Sequence, residues 1–425
     1  MDKYFSLTNQ FKYCPNAFRI DTYEGCSYGC KYCFANNRAG GFSKNRKNEA
    51  IEYEYMKKFF DKAFESEKEY KDITIELMQH KVPLHLGGMA DPFQHREYKD
   101  KMTFTLLEMT NKYRYPVMIS TKTASLPDEY WEILNPDIHA FQISLIGYSD
   151  EFIRKYETNT PLASERIAFI KELHNRGFWV SIRIQPLIDL DEAIRVVEEV
   201  NGYVNYITVE HLKIPTDNFA VRELFADIKE KYPFVKPKKS RNYELTTKYK
   251  LKNVNKIKEI AQCPVGCADN DLHAYSDSKC CCGVDCINEN FNNYLKYNTC
   301  YFDVCKHNNE EINKEDLWIP NNSCKKCMHG DYAVKDLYHI NEYVDKYIEE
   351  TVGTPYKIDK NTLLKEIGYW YGDYSEEDGL YIIDNGIKKF TYTNVRDGLK
   401  DWLSTLKQDV DTDWKNEIEF IEGLK

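Results

Sequence analysis

Gly25 to Ala35 reads GCSYGCKYCFA and puts Cys26, Cys30 and Cys33 in a C-x3-C-x2-C spacing on a short glycine-containing loop. Three thiolates that close together can wrap one face of a 4Fe–4S cube, whose ligands are normally cysteine sulfurs. A cube has four irons, so three protein ligands leave one iron open to an exogenous group. The competing chemistry is a structural zinc knot, which usually reads as C-x2-C with a second pair nearby to close a tetrahedron. No cysteine occurs between Phe34 and Gln262, so zinc here would need a distant fourth ligand. The spacing favours the open cluster.

The surrounding elements have to hold that loop. Ala17 to Tyr23 reads as a strand feeding it from the N-terminal side. Further strands are expected at Val82 to Leu86, Pro116 to Ser120, Ile138 to Ile146, Phe178 to Ile184 and Tyr203 to Val209. Apolar periodicity predicts helices between and after them, at Glu49 to Lys68, Tyr98 to Lys112, Pro127 to Leu134, Leu162 to Asn175, Asp189 to Val200 and Phe219 to Lys231. Strand alternating with helix implies parallel strands joined by right-handed crossovers, an α/β class. Sites on such architectures gather at the C-terminal strand ends, where the cysteine loop lies.

The other strand ends carry candidate residues. The second strand runs into HLGGMADPFQHRE, giving His85, Gly87, Gly88, Asp91 and Glu97. The glycines would let backbone approach a ligand, although a tight turn with an N-capping Asp explains the same letters. Lys122 follows the third strand as a cation for a carboxylate, against the plainer reading of a solvated lysine. The fourth strand alternates Gln142 and Ser144, and the fifth Arg183 and Gln185. An arginine inside a parallel strand is costly to bury without an acceptor partner. Glu210 and His211 end the sixth strand as a possible base or amine ligand, a pair that more often is structural. Asp91, Glu210 and His211 are thus the catalytic candidates. His85, Asp91, Glu97, Gln142 and Gln185 are the substrate candidates.

With Tyr32 preceding the last cysteine, the loop resembles the signature of the radical S-adenosylmethionine (SAM) superfamily. That resemblance implies a partial (β/α)6 barrel and a 4Fe–4S cluster on Cys26, Cys30 and Cys33. The open iron would chelate the methionine end of SAM, and one electron would release a 5′-deoxyadenosyl radical. Tyr32, Phe34, Gly87, Gly88, Lys122, Ser144 and Arg183 would then line the cosubstrate. DPFQHRE, STKTASL and IRIQPLI resemble the spore photoproduct lyase-like branch over roughly Gly25 to Leu187. Lys122 matches that branch's cosubstrate-binding lysine. Gly88 stands where the photoproduct lyase has its hydrogen-donating cysteine, and no cysteine follows Cys33 within the expected barrel. Photolesion repair therefore does not carry over. The resemblance implies a lyase on a small nucleobase-type substrate, with a queuine lyase reaction, queuine to preQ1 base in queuosine salvage, as the specific expectation. The alternative is a radical enzyme acting on DNA or RNA. A reductase or a flavodoxin- or ferredoxin-type electron donor is the implied partner.

The 425-residue chain is long enough for a large core, and its net charge of −10 weighs against a broad phosphate-tracking surface, so polynucleotide binding is not expected. Neither a signal peptide nor a membrane span is readable. The 14 cysteines then argue for a reducing, cytoplasmic compartment and metal ligation. Ten of them crowd Cys263 to Cys327, near His273 and His329. Cys263, Cys267, Cys324 and Cys327 are the expected ligands of a tail metal, either zinc or an additional iron–sulfur cluster. The expected organisation is a barrel at 1–235, a cysteine-rich segment at 236–330, and a small α+β subdomain at 331–425 that packs Trp370, Tyr371 and Trp402.

Overall fold

The computed structural model describes residues 5–7, 16, 18–37, 48–68, 73–236, 240–269, 272, 276–278 and 280–291, together with three strand segments near the C-terminus. The main sheet is built from β1 (Ser6–Leu7), β2 (Phe18–Ile20), β3 (Leu84–Leu86), β4 (Val117–Thr121), β5 (His139–Ser144), β6 (Val180–Leu187) and β7 (Tyr206–His211). These strands lie side by side in chain order, and β1 alone runs antiparallel to its neighbour. A small antiparallel sheet of β8 (Ile214–Pro215), β9 (Phe234–Val235) and β10 (Asn242–Leu245) follows. Then β11 (Val265–Cys267) returns to pair in parallel with β7. The main sheet therefore has seven parallel strands, one more than expected, and runs past the expected boundary at residue 235. It is an open α/β sheet of the partial-barrel kind.

Register explains how this sheet carries a site. Pairings Arg19↔His85, Ser120↔Gln142, Ser144↔Arg183, Arg183↔Thr208 and Thr208↔Gly266 put these residues on one face. The alternate positions, Ile20, Leu86, Ile119, Phe141, Ile182, Ile207 and Val209, are buried apolar residues on the opposite face. They are covered by helices, as parallel sheets require. The helices are α1 (Phe34–Asn37), α2 (Tyr53–Phe64), α3 (Ile73–Gln79), α4 (Glu97–Asp100), α5 (Met102–Lys112), α6 (Asp128–Ile133), α7 (Asp150–Tyr156), α8 (Ala163–Asn175), α9 (Leu190–Val200), α10 (Phe219–Leu224), α11 (Ala226–Lys231) and α12 (Thr247–Ile260). In α9 the buried positions Ala193, Val196, Val197 and Val200 follow helical spacing, and Asp189 caps the start by accepting from Asp191 N and Glu192 N.

Two expected helices are interrupted. The stretch from Tyr98 to Lys112 breaks at Lys101, which adopts φ 50°. Glu97 accepts the backbone N–H groups of Thr103 and Phe104 there, satisfying the orphan donors of a new helix start. The stretch from Phe219 to Lys231 divides at fully buried Phe225. The short helix α7 had no expectation against it. Near the C-terminus, Asp373–Glu377, Leu380–Asp384 and Lys389–Tyr392 form an antiparallel sheet. Trp370, Tyr371 and Trp402 lie outside the described residues, as do Cys300, Cys305, Cys324, Cys327, His273 and His329. Among the described residues no helix is long and apolar enough to cross a membrane.

Candidate active site

The cysteine loop joins β2 to α1 and is pinned on both sides. Ser27 N donates to Gln94 Oε1 at 2.9 Å, and Gln94 Nε2 donates to Gly25 O at 2.7 Å. On the other side Lys31 N donates to Tyr156 O at 2.9 Å, and Cys30 forms a β-bridge with Glu157. Gly29 makes the turn at φ +63°. Burial pushes the Cys26 thiol up to about 11 and the Cys30 thiol up to about 12, and Cys33 is close enough to add to both. Backbone N–H groups of Asp91 and Tyr28 hydrogen-bond the Cys26 sulfur. Three mutually interacting sulfurs on a pinned loop, one already receiving N–H donors, suit a cluster that takes a thiolate on each of three irons.

Beside the loop, Glu157 collects charge. It is fully buried and accepts from Lys122 Nζ at 2.9 Å, Thr160 Oγ1 at 3.0 Å, Arg166 Nη2 and the Tyr32 hydroxyl. Burial alone would raise its carboxyl. The Arg166 and Lys122 charges overcome that and bring it down to about 2. Lys122 Nζ also lies 3.2 Å from the Tyr32 hydroxyl. The lysine and the aromatic expected at the cosubstrate thus meet at one carboxylate next to Cys30.

Gly87 and Asp91 shape the other wall. Gly87 has φ +90°, and a Cβ there would lie 2.2 Å from Ser120 O, so only glycine fits. At Gly88 the nearest atom to a Cβ would be Arg19 Cδ at 3.5 Å, so the backbone there is open. Asp91 is buried and accepts from Thr121 Oγ1 at 2.8 Å, Lys122 N at 2.6 Å and Phe93 N at 3.0 Å. Its carboxylate ties the β3 turn to the end of β4, and burial raises its pKa.

Across the inner face a directed chain of hydrogen bonds runs from strand to strand. His85 Nε2 lies 2.8 Å from Ser120 Oγ, which donates to Gln142 Oε1 at 3.1 Å. Burial, with the Arg183 and Arg19 charges, pushes the His85 ring down to about 3, so it is neutral and its N–H serves Ser120. Arg183 donates to Gln142 Oε1 at 3.4 Å and to Gln185 Oε1. Gln185 Nε2 then donates to Glu210 Oε2, and Lys213 Nζ to Glu210 Oε1 at 2.6 Å. His85, Gln142, Arg183, Gln185 and Glu210 therefore lie in one hydrogen-bonded row, and Ser144 sits in register with Arg183.

Other expected residues are placed elsewhere. Glu97 is buried among Tyr23 and Tyr130 hydroxyls and the N–H groups of Thr103 and Phe104, which use its acceptor capacity in the scaffold. His211 alternates to the face opposite Glu210, is fully buried, and holds Asp269 Oδ2 at 2.7 Å through Nδ1. Phe34 is 58% exposed on α1. Cys267 is a buried strand residue with its side chain on the helix-covered face, and Cys263 lies in the bend that precedes the strand. Among the described residues no three His, Cys, Asp or Glu side chains are gathered around a single metal ion. The expected absence of later cysteines from the barrel is also corrected. Tyr206 and Thr208 of the inner face donate to the carbonyls of Cys280 and Cys281, the latter at 2.8 Å.

Sequence reasoning missed Glu157, Arg166 and Gln94. Arg166 carried a readable signal, because it falls on the buried face of α8 with Ala163, Ile167, Ile170 and Leu173. An arginine on an apolar stripe needs a buried anion.

The Radical SAM superfamily profile matches residues 20–195. No curated protein matches the sequence. Among solved structures, a spore photoproduct lyase variant with bound AdoMet and dinucleoside spore photoproduct is 12% identical, spanning 59% of this chain and 75% of its own, with TM-score 0.40. A spore photoproduct lyase complexed with the dinucleoside spore photoproduct is 13% identical over 60% of this chain and 74% of its own, with TM-score 0.41. Streptococcus suis SuiB bound to S-adenosylmethionine is 13% identical over 57% of this chain and 45% of its own, with TM-score 0.36. With its three-cysteine loop at the end of β2 and the profile match over residues 20–195, this chain carries a radical SAM domain over those residues.

Proposed function

We propose that the enzyme is a lyase acting on a small nucleobase-type molecule, with queuine cleaved to preQ1 base as the specific reaction. When bound, the cluster and SAM supply a 5′-deoxyadenosyl radical able to abstract an unactivated hydrogen. The chain's own residues position the substrate and keep water out. Cys26, Cys30 and Cys33 would hold the cluster, and the open backbone at Gly88 with the Tyr32–Lys122 corner would receive the cosubstrate.

The observation that carries the substrate reading is the hydrogen-bond chain from His85 to Lys213. It presents amide, guanidinium, imidazole and carboxylate groups in fixed order along one face. A guanine-like edge is read by such alternating donors and acceptors. Queuine adds a secondary amine that is cationic at neutral pH, for which the Glu210 carboxylate is the matching anion. Neutral His85 suits the hydroxyls of the cyclopentenediol. Asp91 acts as a positioning residue between the Gly87 turn and Lys122.

Steady-state kinetics with queuine test this assignment. A charge-assisted hydrogen bond is worth about 1.5–3 kcal/mol, so Glu210→Gln should raise KM by roughly tenfold to a hundredfold. Gln142→Ala should raise it less, and neither should alter the slow cleavage of SAM without substrate. Unchanged KM in both variants would remove the inner-face row from substrate recognition.

A further inference from the structure

Two groups whose hydrogen-bonding character cannot change bound the Gln142 end of the inner-face row. Arg183 can only donate, and the Cys281 carbonyl can only accept. Arg183 Nη1 lies 3.4 Å from Gln142 Oε1, so the Gln142 amide turns its oxygen toward the guanidinium. The other side of the amide agrees. Gln142 Nε2 donates to Thr208 Oγ1 at 3.4 Å, and Thr208 Oγ1 donates to Cys281 O at 2.8 Å. With Gln142 held this way, Ser120 Oγ faces an acceptor at 3.1 Å and has to donate to it. A hydroxyl has one proton, so the 2.8 Å contact between Ser120 Oγ and His85 Nε2 carries its proton on the histidine. Burial and the positive charges of Arg183 and Arg19 push the His85 ring down to about 3 and keep it neutral. A neutral imidazole has one N–H, so Nδ1 keeps its lone pair.

That lone pair lies beside Gly88. A Cβ at Gly88 would stand 3.7 Å from His85 Nδ1 and 3.5 Å from Arg19 Cδ, so the missing side chain leaves room next to the ring. His85 is half-buried, and among the described residues no hydrogen bond reaches its Nδ1. Nearby, Gln142 Oε1 is already taken by Ser120 and Arg183, and the guanidinium has only N–H groups to offer. A neutral nitrogen with a lone pair accepts from O–H or N–H and gives nothing to a carboxylate, a phosphate or an ether oxygen. We propose that His85 Nδ1 is a specificity-determining acceptor, locked in its tautomer through Ser120, Gln142 and Thr208, that takes a hydrogen bond from a hydroxyl of the molecule bound beside Gly88. Ser120 acts through His85 as a positioning residue. The hydroxyl is one of the two on the queuine diol, an assignment that rests on the lyase reading; the locked tautomer does not. A ribose hydroxyl of the cosubstrate has the same chemistry.

Long-range proton–nitrogen NMR of the full-length protein, labelled at its histidine ring nitrogens, tests the tautomer without any ligand, and His85→Gln assigns the signal. His85 should show a protonated Nε2 and a bare Nδ1 at neutral pH, whereas Ser120→Ala should populate both tautomers. A protonated Nδ1 in wild type would overturn the proposal whatever the substrate. Kinetics with queuine analogues in which fluorine replaces one hydroxyl, and so cannot donate, test the ligand. A site built to hydrogen-bond a group rejects the analogue lacking it, so wild type should lose about tenfold or more in kcat/KM for one of the two fluoro analogues. His85→Phe, which removes the acceptor, should treat that analogue and queuine alike within about twofold. His85→Asn, whose amide oxygen can stand where Nδ1 does, should restore part of the discrimination. Equal discrimination in wild type and His85→Phe would overturn the proposal. Discrimination against ribose-deoxy SAM in cleavage without substrate, lost in His85→Phe, would keep the acceptor and give it to the cosubstrate. Discrimination in neither arm would overturn it. If the bare Nδ1 and the ribose discrimination are seen while queuine is not cleaved, the lyase reading fails and the acceptor stands.

Discussion

Replacing Glu157 by glutamine perturbs the corner where the cysteine loop, α8 and the end of β4 meet. In the folded protein its carboxyl is held at about 2, against an ordinary 4.5, by Arg166 and Lys122. At 1.36 kcal/mol per pKa unit, ionisation of this buried group contributes about 3 kcal/mol to stability at neutral pH. Removing one partner of a buried ion pair costs a similar amount, about 3–5 kcal/mol, because fully buried Arg166 keeps its charge without an anion. The sign of the pH dependence follows from the direction of the shift. The folded pKa is lowered, so the contribution is fully present above pH 4.5 and is lost as pH falls toward 2. Urea unfolding of the metal-free protein, followed by circular dichroism, should show Glu157→Gln destabilised by about 3 kcal/mol at pH 7.5, with the gap narrowing below pH 4.5. Iron loading should fall as well, because the Glu157 carboxylate accepts from Tyr32 of the cysteine loop and from Lys122 beside it. A loss under about 1 kcal/mol at pH 7.5, with full iron loading, would refute the role given to this carboxylate.

The two adjacent glycines should behave differently. Gly87→Ala meets Ser120 O at 2.2 Å with φ +90°, and should abolish soluble expression or cost several kcal/mol, whereas Gly88→Ala should stay within about 0.5 kcal/mol of wild type by thermal unfolding. Glu97→Ala leaves two tyrosine hydroxyls and two N–H groups unpaired and should lower stability by about 3 kcal/mol or more, without changing KM for queuine in whatever folded fraction remains. Cys30→Ala should retain the fold by circular dichroism but lose the visible absorbance of the reconstituted cluster.

The cysteine spacing and the strand–helix alternation were legible because each depends on local letters. Thiol spacing sets what a loop can wrap, and apolar runs mark strands buried on both faces. The polar row was legible for the same reason, since Gln142, Arg183, Gln185 and Glu210 alternate with apolar neighbours along their own strands. Contacts made across the fold left weaker marks. Glu157 follows a helix of seven residues, too short for periodicity to announce, and its value comes from Arg166 and Lys122 on other elements. Glu97 lies beside a promising strand end, but two tyrosines and a helix start reach it first. His211 is one residue past Glu210, and in a strand that single step moves a side chain to the other face. The seventh parallel strand carries only three residues, Val265 to Cys267, within a stretch whose cysteines suggested metal ligation. Its membership in the sheet depends on pairing with β7, which no local pattern encodes.

The most direct measurement is SAM cleavage by the anaerobically reconstituted, reduced enzyme with and without queuine, read by mass spectrometry. The account predicts that queuine accelerates 5′-deoxyadenosine formation and that preQ1 base appears with it, while Cys30→Ala makes neither product. Formation of 5′-deoxyadenosine at one slow rate with or without queuine, and no preQ1 base, would contradict the proposed reaction.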